Sequence, residues 1–177
     1  MASPQALSES DRRLVALWAA DCAERVLPLF ETEAPDDDRA RDGIERARAF
    51  GRGELDTAGE IRRRFMAGRS AHSATSPMAA AAARSAGQAS GVAHMGAHAL
   101  GAAAYAAKAA SLAAPDHDGA HRDEVGWQLR RMTDEVRAAL ARLPLLGTDS
   151  AGPLGEGLLA SGMLGATIRE IQAELRG

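Results

Sequence analysis

The chain is poor in the residues that staple or stiffen small proteins. It holds one cysteine, Cys22, in 177 residues, so no internal disulfide can form, and its sequence neighbours Asp21 and Glu24 raise rather than lower a thiol pKa. A small core filler is the role that fits it. Aromatic residues make up 3% of the chain, with two Trp, one Tyr and three Phe, so burial must come from many small contacts. Lys108 is the only lysine among 21 basic residues, which fits a GC-rich coding bias better than any chemistry. With a net charge of -3 and a pI near 6.0, there is no basic excess to hold a phosphate backbone, and nucleic acid is excluded as the main partner. Long apolar runs are missing too. The least polar stretch, residues 77–114, is mostly Ala and Gly and is broken by Arg84, Gln88, His94, His98 and Lys108, so no membrane span is predicted. The opening MASPQALSESDRRL has neither a basic nor an apolar leader segment, and a cytoplasmic location is expected. No phosphate loop, dinucleotide fingerprint, serine elbow or CxxC pair is present.

What is there is helical periodicity. Leu14, Leu17, Trp18, Cys22, Val26 and Leu29 recur at helical spacing and predict a first helix over residues 10–31, with Pro28 bending or ending its last turn. PDDDRARDGIERARAFG predicts a second, its aspartates Asp36, Asp37, Asp38 and Asp42 stabilising the positive N-terminal end, although such a patch also suits a basic partner. Residues 56–76 predict a third, opened by a capping box from Thr57 to Glu60. The arginines at 62–64 read as its solvated face, paired with nearby acids. Residues 76–114 predict one long Ala/Gly-rich central helix, and residues 121–143 a fifth, ended by Pro144. His117 and His121 fall in the polar turn between these two. A glycine-rich linker and a short amphipathic helix, with Ile168, Ile171 and Leu175 on one edge, make up 145–177. No stretch alternates with period two, so the fold class is all-α: a bundle of five to six helices spanning 1–144, with the tail as an appendage that docks on its own bundle or on a second copy.

The central stretch GQASGVAHMGAHALGAAAYAAKAA raises the functional question. On one continuous helix Gly87, His94, Gly101 and Lys108 would share a line, with Gly91, His98 and Tyr105 beside it. Interior glycines each cost a helix about 1 kcal/mol against alanine, so something must approach that face closely. Either another helix packs there, or the bare backbone is the wall of a pocket. In the pocket reading, His94, His98 and Tyr105, with Glu31 or Asp21 as acid partner, carry any chemistry. His72, Gln88, Gly91, Trp18 and Asp21 then line a ligand site between the first, third and fourth helices. No cofactor is expected, with one exception: His94 and His98, four apart, could share a metal with a third ligand from His72, Glu31, Asp21 or Glu45. Met95 stands where a zinc protease needs glutamate, so that activity is excluded.

Taken together, DRRLVALWAADCAERVLPLFE, PDDDRARDGIERARAFGRGE and AARSAGQASGVAHMGAHALGAAAYAAKAA resemble the actinobacterial Imm-5-like family of immunity proteins, over residues 11–143 and in the same order. The resemblance implies a small, helical, non-enzymatic binding protein that neutralises a cognate toxin of a polymorphic toxin system. The residues themselves leave a second class open, a small enzyme or ligand-binding protein of secondary metabolism or self-resistance that uses the His/Tyr pocket.

Overall fold

The computed structural model describes residues 3–63 and 65–177; Arg64, the last of the arginine run, lies outside them. Among the described residues the elements are α1 (Glu9–Glu31), α2 (Arg39–Gly51), α3 (Thr57–Arg63), α4 (Met66–Arg69), a 3₁₀ turn (Ser70–Ser73), α5 (Pro77–Gly91), α6 (His98–Ala113), α7 (Ala120–Arg131), α8 (Asp134–Ala141), a second 3₁₀ turn (Leu158–Ala160) and α9 (Gly162–Glu174). The all-α class stands, but the helices outnumber the five or six expected because three of the predicted ones are broken.

The first break is the one that matters for the site. The expected continuous helix over 76–114 stops at Gly91 and restarts at His98. Ser76 caps the start of α5, its hydroxyl accepting from the Ala79 N–H at 3.2 Å, and Pro77 takes the first helical position, where its missing donor costs nothing. The residues between the two helices are held by the N-terminal segment: the Gly96 N–H donates to the Ala6 carbonyl and the Ala97 N–H to the Gln5 carbonyl, both at 3.0 Å. A Cβ on Gly96 would sit 2.5 Å from Leu7 Cδ1, so any side chain there must displace Leu7. Periodicity alone missed the break, since the turn residues Val92, Ala93 and Ala97 are as buried as helix residues. Beyond it the chain reverses: His98 meets Gln88 and Ser85 donates to the Ala102 carbonyl, so α5 and α6 form an antiparallel hairpin.

The predicted third helix is divided into α3 and α4, with Phe65 in a turn, and its cap differs from the capping box. The Asp56 carboxylate accepts from the Gly59 N–H at 2.6 Å, and the Thr57 hydroxyl is buried with no partner. Glu60 turns inward to the Arg46 guanidinium on α2. The fifth breaks at Met132, and Thr133 caps α8 by accepting from the Val136 N–H at 3.2 Å.

At the centre lies α6, packed by α5, α1, α7 and α9 and carrying eight buried alanines or glycines that let those neighbours come close. Phe30, Phe50, Leu27 and Ile44 supply the bulk around it. The tail joins the same core: Leu154, Ile168 and Ile171 are 0% exposed, and Gln172 pins the linker, accepting from the Leu146 N–H at 3.0 Å and donating to the Pro144 carbonyl at 2.9 Å. The apolar edge of α9 is therefore buried within its own chain. His121, expected in a surface turn, lies on α7 and bonds the Thr167 hydroxyl of α9 at 2.8 Å. Among the described residues, no helix is long and apolar enough to cross a membrane.

Candidate functional site

The reversal at 92–97 changes what the two central histidines can do. His94 lies in the turn and His98 opens α6, so they no longer stack one helical turn apart on a single face. The His94 Nδ1–H donates to the Gly91 carbonyl at 3.0 Å, and the His98 Nδ1–H donates to the Gln88 side-chain oxygen at 2.8 Å. The rings stack with centroids 5.4 Å apart and planes 30° apart. With both Nδ1 atoms acting as donors, each neutral ring keeps its Nε2 lone pair for something else. Burial, reinforced by the charge His94 would carry, pushes the His98 pKa down to about 4, so His98 is neutral near pH 7.

Around this pair lies a cavity of about 770 Å³, lined by Phe65, Gly68, Arg69 and His72 on one side and Arg84, Gly87, Gln88, Gly91, His94, His98 and Tyr105 on the other. The first group belongs to α4 and the turns flanking it; the second belongs to the α5–α6 hairpin. Tyr105 is 4% exposed. Burial raises its pKa, and the charge of Arg84 works against that rise. Tyr105 is therefore a neutral hydrogen-bonding group and not a nucleophile. Neither imidazole is bonded to a hydroxyl or thiol of any described residue, so the nucleophile and base pair of covalent catalysis is not assembled here.

Six of the residues picked from sequence, His72, Gln88, Gly91, His94, His98 and Tyr105, thus line one cavity. Three are placed elsewhere, and α1 contributes nothing to the lining. The Trp18 Nε1–H donates to the Gln128 carbonyl at 2.9 Å and locks α1 to α7. Asp21 bridges Arg48 and Arg131, and Glu31 pairs with Arg41 at 2.7 Å. Of the suggested third metal ligands only His72 reaches the cavity, with Glu45 on the exposed face of α2. Among the described residues no group of three or more His, Cys, Asp or Glu side chains is placed to hold a metal ion. Cys22 is a buried filler as expected, its pKa raised well above the usual thiol value by burial, with Glu124 and Asp21 adding to the effect.

Sequence reasoning missed Phe65, Gly68, Arg69 and Arg84. Arg84 had a readable signal, since it precedes Gln88 by four residues and so shares its helix face. Arg69 and Gly68 had none, because the break in the third helix is what brings them to the cavity mouth.

Of the two readings of the glycine face, close packing holds at each position and Gly91 also lines the cavity: a Cβ on Gly91 would lie 2.9 Å from His98 Cδ2, and one on Gly101 would lie 2.3 Å from the Gln88 side-chain oxygen. Gly87 meets backbone: its Cβ would be 2.7 Å from Gly68 Cα. These glycines are packing positions that let α4, α5 and α6 close around the cavity. Gly68 differs, because a Cβ there meets nothing within 4 Å. Gly87→Ala is therefore expected to destabilise the protein by about 1 to 3 kcal/mol through overpacking. Gly68→Ala should be neutral or stabilising by up to about 1 kcal/mol, since alanine is the better helix former. Chemical denaturation of both variants checks the contrast, and equal effects would contradict the close α4–α5 approach.

No curated protein and no solved structure matches this chain. A family match does exist: the family described as "Imm-5 like putative immunity protein" covers residues 5–135, a span that takes in α1 to α7, the start of α8 and every residue of the cavity lining. With that much of the chain matched, this protein belongs to the Imm-5 like family.

Proposed function

We propose that this protein is a non-enzymatic binding protein of the immunity type, which neutralises a cognate toxin by direct contact. The observation that carries the reading is the family match over residues 5–135. A contact inhibitor needs an exposed anchor, because binding energy concentrates in a few aromatic and arginine side chains. The α3–α4 face supplies one. Phe65 is 58% exposed, Met66 43% and Ile61 37%, and the exposed Arg62, Arg63 and Arg69 surround them. Arg62 and Arg63 form no ion pair with any described residue, so their charge is available to a partner, and it favours an acidic surface on the toxin. The Asp36–Asp42 cluster is the weaker candidate: Asp37 is tied to Arg39 and Ser73, with its carboxyl held well below the usual range by those bonds.

The test is co-expression with the toxin gene adjoining this one. The wild-type protein should restore growth, and Phe65→Asp should abolish the rescue and weaken binding at least ten-fold while the melting temperature stays unchanged. A gene neighbourhood without a toxin, or rescue that survives Phe65→Asp, would overturn the reading or its assigned face respectively.

A further inference from the structure

The cavity carries a chemistry beyond the toxin reading, with which it shares only Phe65 and Arg69. Its volume of about 770 Å³ falls in the range of small-molecule sites. Two guanidinium groups line it, from Arg69 and Arg84, and none of the described lining residues is a carboxylate. Nine arginines elsewhere sit on Asp or Glu: Arg13, Arg25, Arg39, Arg41, Arg46, Arg48, Arg52, Arg131 and Arg142. Arg69 and Arg84 form no ion pair with any described residue.

An independent observation lies deeper in the cavity. Tyr105 is 4% exposed as a whole residue and lines the cavity; its hydroxyl bonds no described residue and is not one of the buried unpartnered polar atoms, so it opens into the cavity, where a bound molecule can reach it. His94 and His98 use their Nδ1 atoms on Gly91 and Gln88, so their Nε2 atoms are acceptors waiting for a donor. The cavity therefore offers two cations and a phenol to an anionic group, and two imidazole acceptors to a hydroxyl or amine on the same molecule.

We infer that this cavity binds a small organic anion bearing a hydroxyl or amine, with Arg69 and Arg84 holding the carboxylate or phosphate and His94 and His98 accepting from the donor. The inference does not rest on toxin neutralisation, although the two share Phe65 and Arg69, and it can be tested on the protein alone. Tyr105 is the only tyrosine of the chain, so incorporation of 3-fluorotyrosine gives a single ¹⁹F signal located in the cavity. The full chain would be titrated with 4-hydroxyphenylacetate, with its neutral alcohol analogue and with 4-hydroxyphenyl phosphate. Either anion should shift the Tyr105 signal saturably, the tighter of the two identifying carboxylate or phosphate as the preferred group, and added salt should weaken the binding. Arg69→Gln and Arg84→Gln should each weaken it about ten-fold or more, the usual effect of removing a charge-assisted hydrogen bond. Gly68→Leu, whose side chain enters the cavity without meeting other atoms near its Cβ, should abolish it. Melting curves show that each variant is folded. No shift with either anion, an equal shift with the neutral alcohol, or binding unchanged by both arginine variants would overturn the inference.

Discussion

A chain ending at Pro144 is expected to lose most of its stability. The tail contributes Leu154, Leu159, Leu164, Ile168 and Ile171 to the core, none more than 7% exposed. At about 1.5 to 3 kcal/mol for each fully buried side chain, these are worth on the order of 10 kcal/mol before the entropy of ordering the segment is set against them. Removal also uncovers the α9-facing side of α6 and leaves Gln5 without its partners Asp149 and Ala151 and the Leu154 N–H. Gln5 matters beyond the terminus, because its carbonyl accepts from the Ala97 N–H in the α5–α6 turn. A net loss of several kcal/mol would lower the melting temperature by about 10 °C or more in a domain of this size, or abolish the cooperative transition. Circular dichroism melts of the two chains decide the matter, and a melting temperature unchanged by truncation would show that the tail is not part of the core.

The second large effect is on acid stability. The pKa of His98 lies at about 4 in the fold against an ordinary value of 6.5, so between these values the unfolded chain binds a proton that the folded chain does not. Stability from this group is full above pH 6.5 and is lost as the pH falls toward 4. At about 1.4 kcal/mol per unit of separation, the loss is on the order of 3 kcal/mol. The charged and titratable groups around the cavity, His94, His72, Arg69, Arg84 and Tyr105, include no acid to stabilise the imidazolium. Carboxylates act in a lower window: Glu33, held down to about 2 by hydrogen bonds from Ser76 and Thr75, loses its contribution only as the pH drops below about 4.5. Denaturation free energies measured from pH 7 to 4 should therefore fall in the wild type and stay nearly flat in His98→Gln. Parallel curves for the two proteins would contradict the neutral, buried His98.

Helix class, the approximate helix starts and the role of Cys22 were legible because they depend on local spacing and capping. The residues of the cavity were half legible, for a reason that the central stretch makes plain. Gln88, Gly91, His94, His98 and Tyr105 stood out as polar or glycine positions among alanines, and they do converge on one cavity. They converge through a reversal of the chain rather than along one helix face. That reversal depends on Gly96 meeting Leu7 and on hydrogen bonds from Gly96 and Ala97 to residues 5 and 6, which are contacts between segments some 90 positions apart. Helical spacing carries no information about such contacts. Trp18, Asp21 and Glu31 were misassigned for the complementary reason: each is a plausible ligand by type, but its partner, Gln128, Arg48 or Arg41, comes from another helix.

The proposal that the α3–α4 face meets a toxin is tested most directly by hydrogen exchange on the protein, alone and saturated with the toxin encoded beside it. The account predicts slowed exchange concentrated in residues 57–72, around Phe65 and Arg62, Arg63 and Arg69, with α9 and the N-terminal end of α2 unchanged. Protection confined to α2 near Asp36–Asp42, or to the tail, with none in 57–72, would contradict it.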